Sequence, residues 1–338
     1  MCVVAVTSLA VGDGYTVAAL GDGSTRYWGV DEIFVGDEKV TIPEPVPVPG
    51  VVEPVVEVAA GAYYLCGRLA SGAVQCWGKT LPSSVEVTLE PRLETVEGLN
   101  DAVQIVTGYT HACARQTAGT VVCWGASHLL GDGSMTQSST PVTVTDLTDV
   151  VDLSAGMFHT CAARADGTAV CWGSNEFSQV MSPKGGLITS PKQVAGIDGV
   201  VEVAAGANHS CARRGDGTVW CWGHNQGGIL GSGTDKPVFK PVAVLGLTGA
   251  VAIAAGLVST CALLADGTVS CWGYLGHDAI SGEGVLDTEV PVPVAGLTGV
   301  VAIALGGDQA CARLANGTVS CWGTTVFGTA HTPTPVAW

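Results

Sequence analysis

The sequence predicts an all-β fold, a seven-bladed β-propeller of four-stranded antiparallel blades, on three observations. A Trp-Gly pair recurs at Trp28, Trp77, Trp124, Trp172, Trp222, Trp272 and Trp322, at spacings of 49, 47, 48, 50, 50 and 50 residues. Each copy reads as strand, turn, strand, tight hairpin, strand. A proline-punctuated segment follows the hairpins. A fixed period of this length means that one supersecondary unit is repeated and buries its faces against its neighbours. The chain, 1–338, reads as a single propeller domain.

The clearest copies are VVEVAAGANHSCARRGDGTVWCWG at 200–223 and AVAIAAGLVSTCALLADGTVSCWG at 250–273. Val201, Val203 and Ala205 alternate with Glu202 and Ala204 in a first strand, and Gly206 permits the turn that ends it. A second strand spans about His209 to Arg214. Gly215-Asp216-Gly217 suits a three-residue hairpin loop with Gly217 at the positive-φ position, and a third strand runs from Thr218 to Trp222. Lys240-Pro241-Val242-Ala243-Val244 is an edge or outer strand, because proline donates no ladder hydrogen bond. Sheets of this kind stack around an axis, which removes the need for capping repeats.

The termini suggest how the ring closes. The first unit starts directly on VVAV with no proline strand before it, and the last is followed by Thr334-Pro335-Val336-Ala337-Trp338. The expectation is closure by pairing of this C-terminal strand with the first blade.

The pattern GxxHxCA…DGTVxCWG, with loops such as LGDGSMTQSSTPVTV at 130–144, resembles the regulator of chromosome condensation repeat family, in its bacterial or extracellular form. The resemblance spans nearly the whole chain and implies seven blades. Neither a tryptophan–aspartate signature nor paired kelch glycines stand at these positions. A bacterial propeller of the family that inhibits β-lactamases uses the loop face, so the resemblance implies protein recognition. Nucleotide exchange on a nuclear GTPase with chromatin binding would need a reducing compartment and a basic surface, which the cysteines and charge oppose. Ultraviolet-B sensing in the family uses tryptophans at the GxxH turn, and these turns carry none.

Twelve of the 13 cysteines form six pairs of equal separation: Cys66 and Cys76, Cys113 and Cys123, Cys161 and Cys171, Cys211 and Cys221, Cys261 and Cys271, and Cys311 and Cys321. The hairpin register sets the members of a pair opposite each other on adjacent strands, close enough for a disulfide after small adjustment. Buried free thiols are the alternative; zinc is disfavoured by the nine intervening residues. Six disulfides persist in an oxidising compartment, so an extracellular, cell-surface or periplasmic location is expected, although no export signal is visible in this chain. The first unit has Val17 and Tyr27 instead, which marks it as the place where the ring opens first. Cys2 is left over.

Composition narrows the function. With 14 basic and 30 acidic residues the net charge is −16, which repels nucleic acid. No apolar run approaches the roughly 20 residues of a membrane span. In an antiparallel blade the GxxH turn and the long third-to-fourth loop emerge on one face, and loops on a rigid scaffold are where binding residues concentrate. That face offers Tyr63, Tyr109, Phe158, Asn175, Glu176, Phe177, His224, Asn225, Tyr274 and His277 as binding residues, exposed aromatic side chains among polar ones being typical hot spots. His111, His159 and His209 share one repeat position. Three histidines invite a metal, but Tyr15, Tyr64, Ser259 and Gln309 fill that position elsewhere, which favours a structural bond to the neighbouring blade. Asp-Gly pairs are explained by turn chemistry, and no acid/base dyad, GxSxG elbow or phosphate loop appears. Asn208 and Asn316 head glycosylation sequons.

The sequence therefore reads as a non-enzymatic, exported, disulfide-stapled module that recognises a protein or surface glycan through its long-looped face, without cofactor or metal. The alternatives are a structural subunit of a cell-surface assembly, self-associating through Cys2 or the acidic rim, and a hydrolase or lyase acting at the channel mouth.

Overall fold

The computed structural model describes residues 4–31, 40–51, 53–78, 82, 92–182, 185–274, 287–325 and 328–338. Seven four-stranded antiparallel sheets each use four consecutive strands. In the fifth they are Val200–Ala205, His209–Arg214, Val219–Gly223 and Val238–Ala243. The first strands of all seven units line one central channel of about 340 Å³. The fourth strands form the rim, and all but that of blade 2, Arg92–Thr95, carry proline, whose missing N–H suits an outer edge.

Ring closure differs from the expectation. The C-terminal strand Gly328–Pro335 pairs with Val319–Thr325 in its own seventh blade, not with the first. The first blade already has a fourth strand, Val40–Pro47, so it has no vacancy to fill. Each unit runs from channel to rim in phase with the chain ends, and the seam between blades 7 and 1 is closed by packing. Val6, Val11, Ala18, Leu20 and Trp28 share one buried cluster with Cys311, Val319 and Cys321. Thr16 donates to Gln309 Oε1 across the seam at 3.1 Å.

All six cysteine pairs are disulfides, Cys66–Cys76, Cys113–Cys123, Cys161–Cys171, Cys211–Cys221, Cys261–Cys271 and Cys311–Cys321, with Cα atoms 4.0–4.1 Å apart. The two members of every pair stand directly opposite in register, as the hairpins require. Their Cα separation is shorter than most bridges show and nearer to the close, non-hydrogen-bonded pairing of an antiparallel ladder than to the wide one. Val17 faces Tyr27 at the same place in blade 1.

Each recurring tryptophan is buried in a cluster with the preceding blade's bridge. Trp124 lies with Cys66 and Cys76, Trp172 with Cys113 and Cys123, and Trp222 with Cys161 and Cys171. Trp272 lies with Cys211 and Cys221, Trp322 with Cys261 and Cys271, and Trp28 with Cys311 and Cys321. Trp77 joins Val17 and Tyr27. One bridge or its apolar substitute thus forms the floor for the next blade's indole. The glycine after each tryptophan has positive φ, and at Gly223 a Cβ would lie 2.7 Å from the Asn208 carbonyl of the GxxH turn, so the close approach of strand and turn requires glycine.

The first strands depart from simple alternation. A register shift between Val200 and Glu202 leaves Val201 exposed while Val200 and Val203 are buried, and the same bulge recurs in blades 2, 4, 6 and 7. The third residue of the strand then reaches the next blade. Ser8 Oγ accepts from Val58 N at 3.1 Å, Asp152 Oδ2 from Val203 N at 2.9 Å and Glu202 Oε1 from Ile253 N at 3.0 Å. These acceptors satisfy edge N–H groups that would otherwise face the channel unpaired. Arginines hold the residue at this position in three blades: Arg68 donates to Glu57, Arg115 to Gln104 and Arg213 to Glu202. Burial raises the carboxyl pKa of Glu57, Asp152 and Glu202.

Blade 7 carries only the arginine. Ala302 stands opposite Arg313, whose buried Nε has no partner. Ala302→Glu should supply the acceptor that blades 2 and 5 have, and raise stability in urea by about 1 kcal/mol, the net worth of a hydrogen bond to a charged group after its desolvation. Unchanged or lower stability would show that Arg313 is already satisfied by water.

Candidate functional site

On the long-looped face, the GxxH turn and the third-to-fourth loop of a blade are hydrogen-bonded together. His224 N donates to Asn208 O at 2.9 Å, Ser174 N to Phe158 O at 2.7 Å and Tyr274 N to Val258 O at 2.9 Å. The turns are also joined to one another around the channel mouth. Tyr109 N donates to Met157 O at 3.1 Å, and Met157 N to Gly206 O at 3.2 Å.

Beneath the turns, the residue at the H of GxxH bridges to the next blade. The Tyr15 hydroxyl donates to Tyr64 O and the Tyr64 hydroxyl to His111 O, each at 2.6 Å. His111 Nε2 then meets Thr160 Oγ1, His159 Nε2 meets Ser210 Oγ and His209 Nε2 meets Thr260 Oγ1, each at 2.8 Å. Because the Ser210 hydroxyl donates to Gln179 O at 3.0 Å, His159 must donate from Nε2, which leaves Nδ1 unprotonated. The Nδ1 atoms of all three histidines are buried without a partner. Burial depresses the imidazole pKa values to about 4 for His111, about 3 for His159 and about 4 for His209. These are neutral structural links. Among the described residues no group of three His, Cys, Asp or Glu side chains is placed to hold a metal.

The aromatic side chains of the face fall into two groups. Tyr63, Tyr109 and Phe158 form an arc over blades 2–4, with ring centroids 5.8 Å apart for the first pair and 5.6 Å for the second. Tyr109 also lines the mouth. Farther out, Phe177 meets His224 edge-on at 4.8 Å, and Glu176 beside it is exposed. Tyr274 is half-buried at the end of Val269–Tyr274.

Asn175 and Asn225 are a different kind of residue. Both are buried, and their side chains organise their own loops. Asn225 donates to Thr234 O and Lys236 O and accepts from Leu230 N, and Asn175 accepts from Val180 N. They hold the loop that displays Phe177 or His224, and are withdrawn from any contact surface. The next blade's indole fixes the same loops: Trp222 Nε1 donates to Gln179 O at 2.9 Å and Trp272 Nε1 to Ile229 O at 3.0 Å. His277 and Cys2 lie outside the described residues.

Sequence reasoning overlooked Asp13. It is the residue after the turn glycine of blade 1 and lines the mouth beside Gly307. The seven GxxH turns place Asp13, Ala62, Tyr109, Met157, Ala207, Leu257 and Gly307 at this position, a signal that was present but masked by its variability.

Two family models of the Regulator of chromosome condensation (RCC1) repeat match, one over residues 150–179 and 200–229 and one over 216–263. No curated protein matches the sequence. Among solved structures the chain is similar to human WBSCR16, with 21% identity and a TM-score of 0.79 over 90% of this chain and 85% of that one. It is similar to yeast RCC1 (Prp20), solved bound to Kap60, at 23% identity and a TM-score of 0.75 over 88% and 78%. It is also similar to the ectodomain of the Physcomitrella patens receptor kinase CR4, at 21% identity and a TM-score of 0.59 over 94% and 73%. Among the described residues no helix is long and apolar enough to cross a membrane.

Proposed function

We propose that this propeller, whose repeats match the regulator of chromosome condensation repeat family, is an exported interaction module whose long-looped face binds a protein or surface glycan. The observation that carries this reading is the arc of Tyr63, Tyr109 and Phe158, half-buried to exposed aromatic rings held at the mouth by turns that are hydrogen-bonded from blade to blade. Rigid aromatic surface costs little ordering entropy on binding, which is why such side chains dominate hot spots. Two of the similar structures support it in kind: yeast Prp20 was solved with a bound protein, and the CR4 structure is that of a receptor-kinase ectodomain. Six disulfides agree with an oxidising compartment. A non-enzymatic role is supported by the commitment of His111, His159 and His209 to interblade bonds.

The immobilised protein should capture a partner from its native surroundings, and the double variant Tyr109→Ala, Phe158→Ala should weaken that capture by about 100-fold or more, as loss of two hot-spot rings does. Its thermal midpoint should stay within a few degrees of the wild type. Undiminished capture by the variant would move the surface elsewhere.

A second reading, a structural subunit of an assembly, draws on the opposite face. There the bulged Val56, Val151, Val201, Val251 and Val301 are all exposed around the channel, an apolar ring suited to self-association. Sedimentation over a range of concentrations separates the two readings, because a monomer throughout removes the second.

A further inference from the structure

The mouth of the channel is a cup of about 140 Å³ between the seven GxxH turns. Tyr109, Met157 and Leu257 give it an apolar wall over blades 3, 4 and 6. Across the cup, at the seam of blades 7 and 1, the wall changes character. Asp13 lines it, and its carboxylate leans over the neighbouring blade, with Oδ1 3.4 Å from where a Cβ on Gly307 would stand. Gly307 thereby leaves room for that carboxylate. Asp308 follows directly in the chain, and its carboxyl pKa is raised, chiefly by burial and further by the charge of Asp13, as expected of two neighbouring acids. Among the described residues neither acid forms an ion pair with a lysine, arginine or histidine.

An apolar cup with the Asp13 carboxylate on its wall, and Asp308 near enough to feel that charge, complements a long aliphatic stem that ends in a positive charge. The chain's net charge of −16 adds a long-range attraction for such a group. A folded domain cannot enter a cup of this size, whereas a single linear side chain can. We propose that the channel mouth is the socket for one lysine or arginine side chain of a partner protein, with the stem against Tyr109, Met157 and Leu257 and the charged head at Asp13, where the neighbouring Asp308 adds to the negative field. This rests on the reading that the long-looped face binds a protein, and gives that partner a basic anchor residue.

The test uses the whole protein and three small probes: N-acetyl-lysine methylamide, N-acetyl-arginine methylamide and the uncharged isostere N-acetyl-norleucine methylamide. Binding is followed by saturation-transfer NMR at neutral pH and low salt. At least one of the cationic probes should bind with a Kd of about 1 mM, the strength open to a ligand of this size. Norleucine should bind at least fivefold more weakly. Asp13→Asn and, separately, Asp308→Asn should each weaken the cationic probe by fivefold or more without altering norleucine. Both sites lie in turns, and an unchanged circular dichroism melt confirms that the variants fold. Equal binding of norleucine, no binding of either cation, or indifference to both substitutions would each overturn the socket. The broader reading fails separately. If the Tyr109→Ala, Phe158→Ala variant still loses partner capture while the probes do not bind, the face binds a protein that brings no cation to the mouth.

Discussion

Protein unfolded in reductant and returned to native buffer with the reductant present should not regain the propeller, whereas protein refolded after oxidation should. Each bridge closes a hairpin with a sequence separation of 10 residues. For a loop of that length the chain-entropy model gives at most about 2.5–3 kcal/mol. Six such contributions rival the whole stability of an ordinary domain, about 5–15 kcal/mol. The loss does not stop at entropy, since each bridge, from Cys66–Cys76 through Cys261–Cys271 to Cys311–Cys321, is also the floor under the next blade's tryptophan. Native protein should resist the same reductant, because the half-cystines are 0–5% exposed. Titration with a thiol reagent in denaturant without reductant should find one reactive thiol among the 13 cysteines, and twelve or 13 would refute the bridges. Removing a single pair, as in Cys161→Val with Cys171→Tyr to copy the apolar pair Val17 and Tyr27 of blade 1, should cost about 2–3 kcal/mol in urea. Hydrogen exchange should then show whether unbridged blade 1 is the first to open in the wild type, as its lack of a bridge suggests.

These consequences were largely legible before any coordinates, and the reason is locality. Blade number, strand limits and cysteine pairing follow from relations within one unit: Gly215-Asp216-Gly217 fixes the hairpin register, and that register puts Cys211 opposite Cys221, as it puts Cys113 opposite Cys123. What the sequence concealed is whatever one unit does to the next. Ring closure was misread because a terminal proline strand looks the same whether it completes its own blade or another, and the fourth strand already present at Val40–Pro47 settles the matter. The alternation of Val201 with Glu202 hid a bulge whose purpose is visible only when Glu202 reaches Ile253 of the adjacent blade. On the loop face, residue type alone could not separate Phe177, which is displayed, from Asn175, which builds the loop beneath it. Asp13 gained meaning only when seven turns were brought to one mouth.

The interblade histidines lead to the second large effect, a loss of stability in acid that is removed by copying blade 7. His159 has its folded pKa pulled to about 3, first by burial and then by His209 and His111, with a backbone contact at His209 offsetting only part of this. In the unfolded chain it titrates near the ordinary value of about 6.5. A folded pKa below the unfolded one means that the contribution is complete above about pH 6.5 and is lost as pH falls toward the folded value, because the unfolded chain binds the proton first. Structure gives the cause: Nε2 already donates to Ser210, so an added proton would sit on Nδ1, which is buried and has no hydrogen-bond partner. His111 and His209, at about 4, act in the same direction. Glu57, Asp152 and Glu202 act oppositely, since their raised folded values make the native state the first to take up protons as pH falls. A comparison of two proteins that share these carboxylates cancels them. His159→Gln places at blade 4 the side chain that blade 7 uses at Gln309 to bond Thr16, with Ser210 as its partner. At pH 7.5 the variant should be within about 1–2 kcal/mol of the wild type, the scale of one exchanged buried hydrogen bond. Between about pH 6 and 4 the wild type should lose stability relative to the variant by about 1.4 kcal/mol per pH unit, one proton's worth, as read from urea midpoints at each pH. Parallel pH profiles for the two proteins would mean that His159 is not held neutral in the fold.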